Sequence, residues 1–480
     1  MSKHTSGPRA STLRRTWVVL VLTVAAAGAV AVGQATDGAR VYEEQLRTQM
    51  DQQPPQLSEV TFDFGGWLNF AWFHFDDAAG DDHTLRQYEL RTWTSLNVRG
   101  EHKFFVRGLA AWDDYNSGDN PDTYHDDTNE QTIERAWYEF DLGRMLQNQT
   151  GSKPLVAPRV KVGRAFAQIG SALVLSMPLD MVEVSTDVGD WEFKALLGKT
   201  IDDTPNIDIS QPVATHQERC FWGFEMAYAG FSRHRPYVYF LGNEDHTSPN
   251  RADLNQLGIS QDFDYSSRYV GTGSRGTLLS PNLRYLAEVV GEFGRTYSDG
   301  VVSGQDAICA MATDLQLEYL FDVKTKPKLM VEHLFATGDS DRVISSTSTI
   351  GGNRPGTTDH AFNAFGFRDT GIAFAPQISN LHIYVAGASF FPLEKHKVFD
   401  KLELGTKTFF YQKDESGGPI SDSSAENDAA WVGWEWDAYV NWRITSDLTW
   451  TARYGAFRPG EAFEDQECRQ FVFTGVTISF

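Results

Sequence analysis

The sequence predicts an all-β fold, a transmembrane antiparallel β-barrel of about eighteen strands with long extracellular loops and short periplasmic turns. Three features predict this class: apolar and polar residues alternate along most of the chain, long loops alternate with tight turns, and the last strand ends the chain at Phe480. A period of two is typical of a strand that meets lipid on one face and an aqueous lumen on the other.

The N-terminus has the layout of a signal peptide over residues 1–35. Its first fifteen residues carry four basic and no acidic side chains, and an apolar run of sixteen residues follows. That run is shorter than the roughly 20 residues that a spanning helix needs, and small residues favour cleavage after Ala31 or Ala35. We expect a periplasmic leader over 36–57 and the barrel over 58–480, because a chain without a spanning helix can cross a membrane only as a closed barrel.

Alternation is clearest in three segments, 88–98, 401–411 and 434–443. In the last of these, Trp, Ala and Val alternate with Glu, Asp, Tyr, Asn and Arg. Most segments are about ten residues long, as tilted membrane strands are. The predicted strands cover 60–73, 86–99, 102–114, 131–142, 158–166, 179–186, 190–199, 219–229, 234–241, 263–275, 281–293, 310–321, 327–337, 379–391, 398–412, 431–444, 447–458 and 469–480.

The connections support the same fold. A barrel with both termini in the periplasm places its odd-numbered connections outside and its even-numbered ones inside, and outer-membrane barrels have long loops outside and short turns inside. The connection 143–157 is an exception, being long where a short turn is expected. The predicted long, largely acidic loops are 74–85, 115–130, 200–218, 242–262, 294–309, 338–378, 413–430 and 459–468.

Composition excludes several other functions. A formal net charge of -22 argues against nucleic-acid binding, which selects basic surfaces. Cys220, Cys309 and Cys468 are far apart and odd in number, so they form neither a disulfide framework nor a zinc pattern. The stretch 415–419 resembles the loop around a trypsin-like serine nucleophile, but the residue before Ser416 is Glu415, and no Ala-Ala-His-Cys partner motif occurs in the sequence. We therefore predict a polar loop there and no enzyme.

Two loops carry candidate features. The first has hard oxygen ligands that suit Ca²⁺ but lack the EF-hand spacing, so a bound cation and a solvated acidic loop are both open interpretations. Its candidate ligands are Asp114, Asn116, Asp119 and Asp122. The second is 338–378, whose length and four phenylalanines predict a folded loop that caps the mouth or enters the lumen.

Basic residues on the polar face of the strands are the most informative set, because their alternation points them into the lumen. Rings of Arg and Lys make a pore anion-selective. The alternative is that they pair with luminal glutamates and brace the wall. The cations are Arg91, Arg107, Arg135, Arg268, Arg284, Lys401, Lys407, Arg443 and Arg453, and the glutamates are Glu89, Glu139, Glu288, Glu318, Glu403 and Glu435.

Several segments also resemble the alginate export porins of the bacterial outer membrane. They are RAWYEF at 135–140, VKVGR at 160–164, FGFR at 365–368 with ISNL at 378–381 and FP at 391–392, and RYGAFRPGEAF at 453–463. The resemblance implies an eighteen-stranded barrel whose arginine-rich constriction conducts a polyuronate between loops that gate its ends.

The resemblance also places luminal arginines at Arg91, Arg135, Arg164 and Arg453. Simple alternation puts Arg164 in phase with Val160 and Val162, so that only a bulge or the strand end would turn it inward.

Three hypotheses follow: an export channel for an alginate-like anionic saccharide, a general or uptake porin for small anions, and a secreted soluble β-protein such as a hydrolase or carbohydrate-binding module. The expected partners are the outer-membrane bilayer, the barrel-assembly machinery that recognises a terminal phenylalanine, the transported anion, and periplasmic partners for export.

Overall fold

The computed structural model describes most of the chain from Val60 to Phe480. The predicted signal peptide and leader, and Asp122 of the candidate cation loop, lie outside the described residues. The described residues are 60–77, 80–120, 126–152, 154–201, 218–246, 265–296, 305–342, 346, 353–354 and 356–480.

Eighteen antiparallel strands form one closed sheet in the described part of the chain. Each strand pairs with its neighbours in sequence, and β1 also pairs with β18, which closes the barrel. The predicted strand number and order are confirmed. The strands are β1 Val60–Asp76, β2 Asp82–Val98, β3 His102–Tyr115, β4 Asp127–Asp141, β5 Arg159–Ile169, β6 Leu175–Val188, β7 Trp191–Lys199, β8 Arg219–Tyr228, β9 His234–Asp245, β10 Tyr265–Thr277, β11 Leu283–Thr296, β12 Asp306–Leu320, β13 Lys328–Ala336, β14 Leu381–Phe390, β15 Leu402–Lys413, β16 Trp431–Arg443, β17 Leu448–Pro459 and β18 Arg469–Ser479.

A short helix explains the long connection between β4 and β5. Helix α1, Leu142–Thr150, begins where the Asp141 side chain accepts a hydrogen bond from the Arg144 amide at 2.8 Å. It ends at Gly151, whose φ of 74° is the left-handed conformation favourable to glycine. No helix in the described ranges is long and apolar enough to span a membrane.

Strand register shows which side chains face outward, because directly opposed residues lie on the same face of a sheet. Phe70, Tyr88 and Trp112 are consecutive partners across β1, β2 and β3, and all three are exposed. The same outward phase elsewhere carries exposed residues such as Trp222 and Trp434. An outward belt of apolar and aromatic side chains is what a lipid-facing barrel wall requires.

The closure seam depends on a glycine. Gly66 and Phe480 exchange backbone hydrogen bonds of 3.0 and 3.1 Å where the end of the chain meets β1. A Cβ on Gly66 would collide with the carbonyl oxygen of Arg91 and lie 2.7 Å from the Phe480 ring. Because Gly66 has no side chain, β1 and the end of the chain can approach closely enough to close the barrel.

The β5–β6 hairpin leaves the wall halfway along its length. β4 pairs with β5 only up to Ala136 and Arg164, and β6 pairs with β7 only from Asp180. Beyond that level the hairpin buries consecutive residues such as Phe166 and Ala167, so both of its faces are covered. The upper part of this hairpin therefore lies inside the barrel.

The loop between β13 and β14 lies inside the barrel as well. Its residue Phe362 belongs to the buried cluster of the β5–β6 hairpin, and Phe374 packs against a second cluster formed by β13 to β17. Of the two sequence-based interpretations, the structure selects the loop that enters the lumen. The hydrophobic interior is thus built between the wall and these two inserted segments.

Candidate functional site: a constricted lumen

Wall carboxylates hold the tip of the β5–β6 hairpin. Glu288 accepts hydrogen bonds from the Ser171 amide at 2.7 Å and from the Tyr239 hydroxyl at 2.8 Å. Glu225 accepts one from the Gly170 amide at 3.0 Å. Gly170 has a φ of 60°, and a Cβ there would lie 2.6 Å from a Glu288 oxygen. The tip is therefore bound to strands β8 and β11 by buried, charge-assisted hydrogen bonds, and Tyr239 of β9 holds the Glu288 carboxylate in place.

A second wall carboxylate holds the inserted loop. Glu435 on β16 is fully buried and accepts hydrogen bonds from three consecutive amides, those of Ile372, Ala373 and Phe374, at 2.6, 2.7 and 2.9 Å. The Phe374 ring stacks on Phe457 with centroids 4.2 Å apart. Glu288 and Glu435, predicted as luminal acids, thus bind the backbone of inserted segments.

The hairpin and the loop also bind each other. The Phe365 amide donates to the Val174 carbonyl at 2.8 Å, and the Ser176 amide donates to the Phe365 carbonyl at 3.0 Å. Next to this contact, Glu292 of β11 accepts from the Asn363 amide at 2.9 Å. The two inserted segments form one continuous obstruction that narrows the lumen.

Ion pairs join the loop to the wall beyond that contact. Arg368 pairs with Asp314 at 2.9 Å and with Glu332, while Asp369 pairs with Lys407. Burial opposes ionisation of Asp369, but the Lys407 ammonium outweighs it and lowers the pKa of this carboxyl group. The loop is therefore held by charge as well as by backbone hydrogen bonds.

Three predicted luminal arginines face inward but are covered. Arg91 pairs with Glu89 at 2.6 Å and Glu134 at 3.1 Å, and Arg107 pairs with Glu134 at 2.8 Å; their side chains are 6% and 2% exposed. Arg135 is buried with its guanidinium 5.3 Å from the centroid of the Phe166 ring. Arg91 and Arg107 match the wall-brace interpretation, and Arg135 is covered by the inserted hairpin.

Two predicted luminal arginines lie on the outward face instead. Arg164 pairs in register with Ala136 and Asp180, in phase with exposed Val162, and its guanidinium bonds Asp180 at 3.0 Å. No register shift turns it inward.

Arg268 is exposed in phase with outward Val270. The inward phase of β10 is instead occupied by Tyr265 and Tyr269, whose hydroxyls bond Glu292. The luminal assignment of Arg164 and Arg268 is therefore corrected.

The remaining three predicted arginines face the lumen and are partly accessible. Arg284 is 59% exposed and lies 3.7 Å from Glu318. Arg443 and Arg453 are half-buried, and the Arg453 guanidinium lies 5.3 Å from the centroid of the Tyr439 ring. All three occupy the periplasmic half of the barrel.

The same half holds inward cations that the sequence analysis missed. They lie near the first or last residues of their strands, and the inward and outward positions predicted from the sequence were not followed that far along each strand. Arg235 and Arg275 are directly opposed on β9 and β10, so two guanidinium groups share one patch of the inner wall. The missed residues are Lys103, Lys161, Lys194, Arg235, Arg275 and Lys328.

The candidate calcium loop is engaged by protein donors where it is described. Arg86 bonds Asp114 at 2.7 Å and Asn116 at 3.0 Å, and Asp119 accepts from the Thr84 amide at 3.1 Å. Because Asp122 lies outside the described ranges, the calcium site stays a prediction.

A closed eighteen-stranded barrel with an apolar, aromatic outer belt and a lumen narrowed by inserted segments defines a bacterial outer-membrane channel. The family model described as alginate export matches residues 73–476, and the chain belongs to this family. The family and fold are those of porins and export channels rather than of an enzyme.

Solved porins from Pseudomonas aeruginosa share the fold. OccK8 (OprE) is 11% identical, with 87% of this chain and 98% of that chain covered and a TM-score of 0.53. OpdK is 10% identical, with 87% and 99% covered and a TM-score of 0.52. OccK2 (OpdF), solved in complex with glucuronate, is 11% identical, with 87% and 98% covered and a TM-score of 0.52. No curated protein matches the sequence.

Proposed function

We propose that this channel passes an anionic saccharide, an alginate-like polyuronate, out of the cell through its cation-bearing lumen. The observation that carries the proposal is a set of inward guanidinium groups without a carboxylate partner. Among the described residues, Arg275, Arg443 and Arg453 have no carboxylate within 4.0 Å. Arginines that only brace the wall would be paired, as Arg91 and Arg107 are.

The opposition of Arg235 and Arg275 supports the same function. Like charges directly opposite each other across strands are destabilising. Arg235 is ion-paired with Glu192, so a bound anion would balance the remaining charge of this patch, that of Arg275. The low-dielectric wall around a narrow lumen strengthens the field of such groups and attracts anions from the periplasm. Membership of the alginate export family supports a uronate polymer and outward passage. Polymer export would also involve periplasmic and inner-membrane partners.

The proposal is tested by conductance of the purified protein in planar bilayers. Replacing Arg275, Arg443 and Arg453 together by Ala should shift the reversal potential across a KCl gradient from anion-selective toward zero. It should also weaken block by added polyuronate. The matched control is Arg268→Ala, which removes the same side chain from the outward face and should change neither quantity. Unchanged selectivity in the triple variant would refute the proposal.

A porin for small anions is the second candidate, and the inserted hairpin and loop favour it because they narrow the lumen. Monomeric glucuronate, the ligand of OccK2 (OpdF), and a polyuronate distinguish the two functions. The small-anion porin would be favoured if glucuronate reduced the current from either side of the bilayer while the polyuronate left the current unchanged. Block by polymer added on the periplasmic side would favour export.

A further inference from the structure

Three potential metal ligands meet at the extracellular end of the β1–β2 hairpin. His74 and Asp76 are two residues apart on β1, so their side chains lie on the same face. Asp76 is directly opposite Asp82 on β2, and His74 is directly opposite Thr84. The strand period and the pairing register therefore place one imidazole and two carboxylates together on the outward face.

The distances within this group suit a metal ion. One imidazole nitrogen and one oxygen from each carboxylate all lie within 4.8 Å of one another. The imidazole plane is held by Trp72, which stacks on it at 13°, and by a 3.2 Å contact between His74 Nδ1 and Thr84 Oγ1. A metal-binding histidine usually donates its other ring N–H to an oxygen acceptor, and Thr84 Oγ1 lies where it can accept from Nδ1.

No described Lys or Arg side chain balances the charges of the two carboxylates. Within the described part of the chain, neither Asp76 nor Asp82 forms an ion pair with Lys or Arg. Two directly opposed carboxylates repel each other, and a cation between them would turn that repulsion into attraction. This distinguishes the pair from Asp114, whose charge is met by Arg86.

We propose that His74, Asp76 and Asp82 bind one divalent transition-metal ion, of which Zn²⁺ is the best match. Zn²⁺ accepts imidazole nitrogen together with carboxylate oxygen and is commonly four-coordinate, so water would complete the shell. Ca²⁺ and Mg²⁺ prefer oxygen ligands alone, and the histidine disfavours them.

The site would act on the closure seam of the barrel. Asp76 Oδ2 accepts a hydrogen bond from the Gln470 amide of β18 at 2.8 Å. A metal bound to Asp76 therefore fixes the carboxylate that joins the first and last strands, while Asp82 extends the link to β2. The expected role is structural: the ion strengthens the extracellular end of the seam.

The test is isothermal titration of the chelator-treated, detergent-solubilised protein with ZnCl₂, run beside a heat-modifiability assay. The wild type should bind one Zn²⁺ per chain, release protons on binding and unfold at a higher temperature when loaded. His74→Ala and Asp82→Asn should each weaken Zn²⁺ binding at least about 10- to 100-fold. Asp447→Asn, on a distant periplasmic turn, controls for the loss of any surface carboxylate and should bind as the wild type does.

Three results would overturn the proposal. They are no saturable Zn²⁺ binding by the wild type, equal affinity in His74→Ala, and a response to CaCl₂ as strong as that to ZnCl₂. The unheated gel mobility of each variant shows whether its barrel is closed. Loss of binding therefore counts only in variants that migrate as folded barrels, and Thr84→Val offers a milder variant whose folded barrel should bind Zn²⁺ more weakly.

Discussion

The anchoring of the inserted loop by Glu435 leads to a quantitative prediction. Hydrogen bonds to a charged group each contribute about 1.5–3 kcal/mol, and Glu435 accepts three of them from loop amides. Glu435→Gln keeps one acceptor oxygen and turns the other into a donor that faces an amide. At least one hydrogen bond to the loop is lost, which should shift the equilibrium between the docked and the released loop toward release by about 10- to 100-fold.

Single-channel recording measures that shift directly. The variant should visit a state of higher conductance far more often than the wild type, because the released loop no longer fills part of the lumen. Glu403→Gln is the matched control: this carboxylate lies inward on the neighbouring strand, and among the described residues it accepts hydrogen bonds only from the side chains of Tyr439 and Asn441. Equal conductance histograms for wild type and Glu435→Gln, with both barrels folded, would refute the anchoring role.

Three further predictions concern the wall, the loop and the seam. Arg91→Ala should destabilise the barrel by about 3–5 kcal/mol, because among the described residues it leaves buried Glu89 without a cationic partner, while Glu134 keeps Arg107, and the temperature needed to unfold the barrel on a gel measures the loss. The pKa of Asp369 is lowered by Lys407; the docking free energy from this pair is thus fully present above an ordinary aspartate pKa of about 3.9 and is lost as the pH falls through the lowered value. Acid should therefore raise channel flicker, and Lys407→Met should remove this dependence. Gly66→Ala should prevent or weaken closure at the seam, seen as loss of the fast-migrating unheated band.

Matched variants separate these effects from general damage. Arg458→Ala removes an exposed outward arginine and should leave the stability of the barrel unchanged. Gly417→Ala is the control for Gly66→Ala: it adds a methyl group where the nearest atom is 3.9 Å away, so the fast-migrating unheated band should remain. An Arg91→Ala barrel as stable as the wild type would contradict the brace interpretation. Acid flicker that persists in Lys407→Met would assign the pH response to another group.

Strand number and order could be predicted because each wall strand imposes the same two-residue period. The inserted hairpin could not, because the segment 165–177 is apolar on both faces and simple alternation has no phase there. That loss of period was the available signal: a stretch buried on both sides is not part of a wall between lipid and water. The short predicted strand 158–166 ends, and the predicted strand 179–186 begins, near the level where the hairpin turns into the lumen.

The luminal arginines were predicted unevenly for a related reason. Phase was assigned by taking apolar residues as outward, which is correct for Arg284 and Arg453. It failed on β10, where Tyr265 and Tyr269 are aromatic but face inward because their hydroxyls bond Glu292. Exposure within the lumen could not be predicted either, since the cover over Arg135 comes from Phe166, a residue of the inserted hairpin.

The route of the inserted loop has a consequence for the order of assembly. The loop precedes β14 in the chain, yet it is anchored by Glu292 on β11, Glu435 on β16 and Phe457 on β17. Its binding site does not exist until four later strands, β14 to β17, have joined the sheet. The wall must therefore be largely complete while the lumen is still wide, and the narrowing of the pore is a late event in the maturation of the protein.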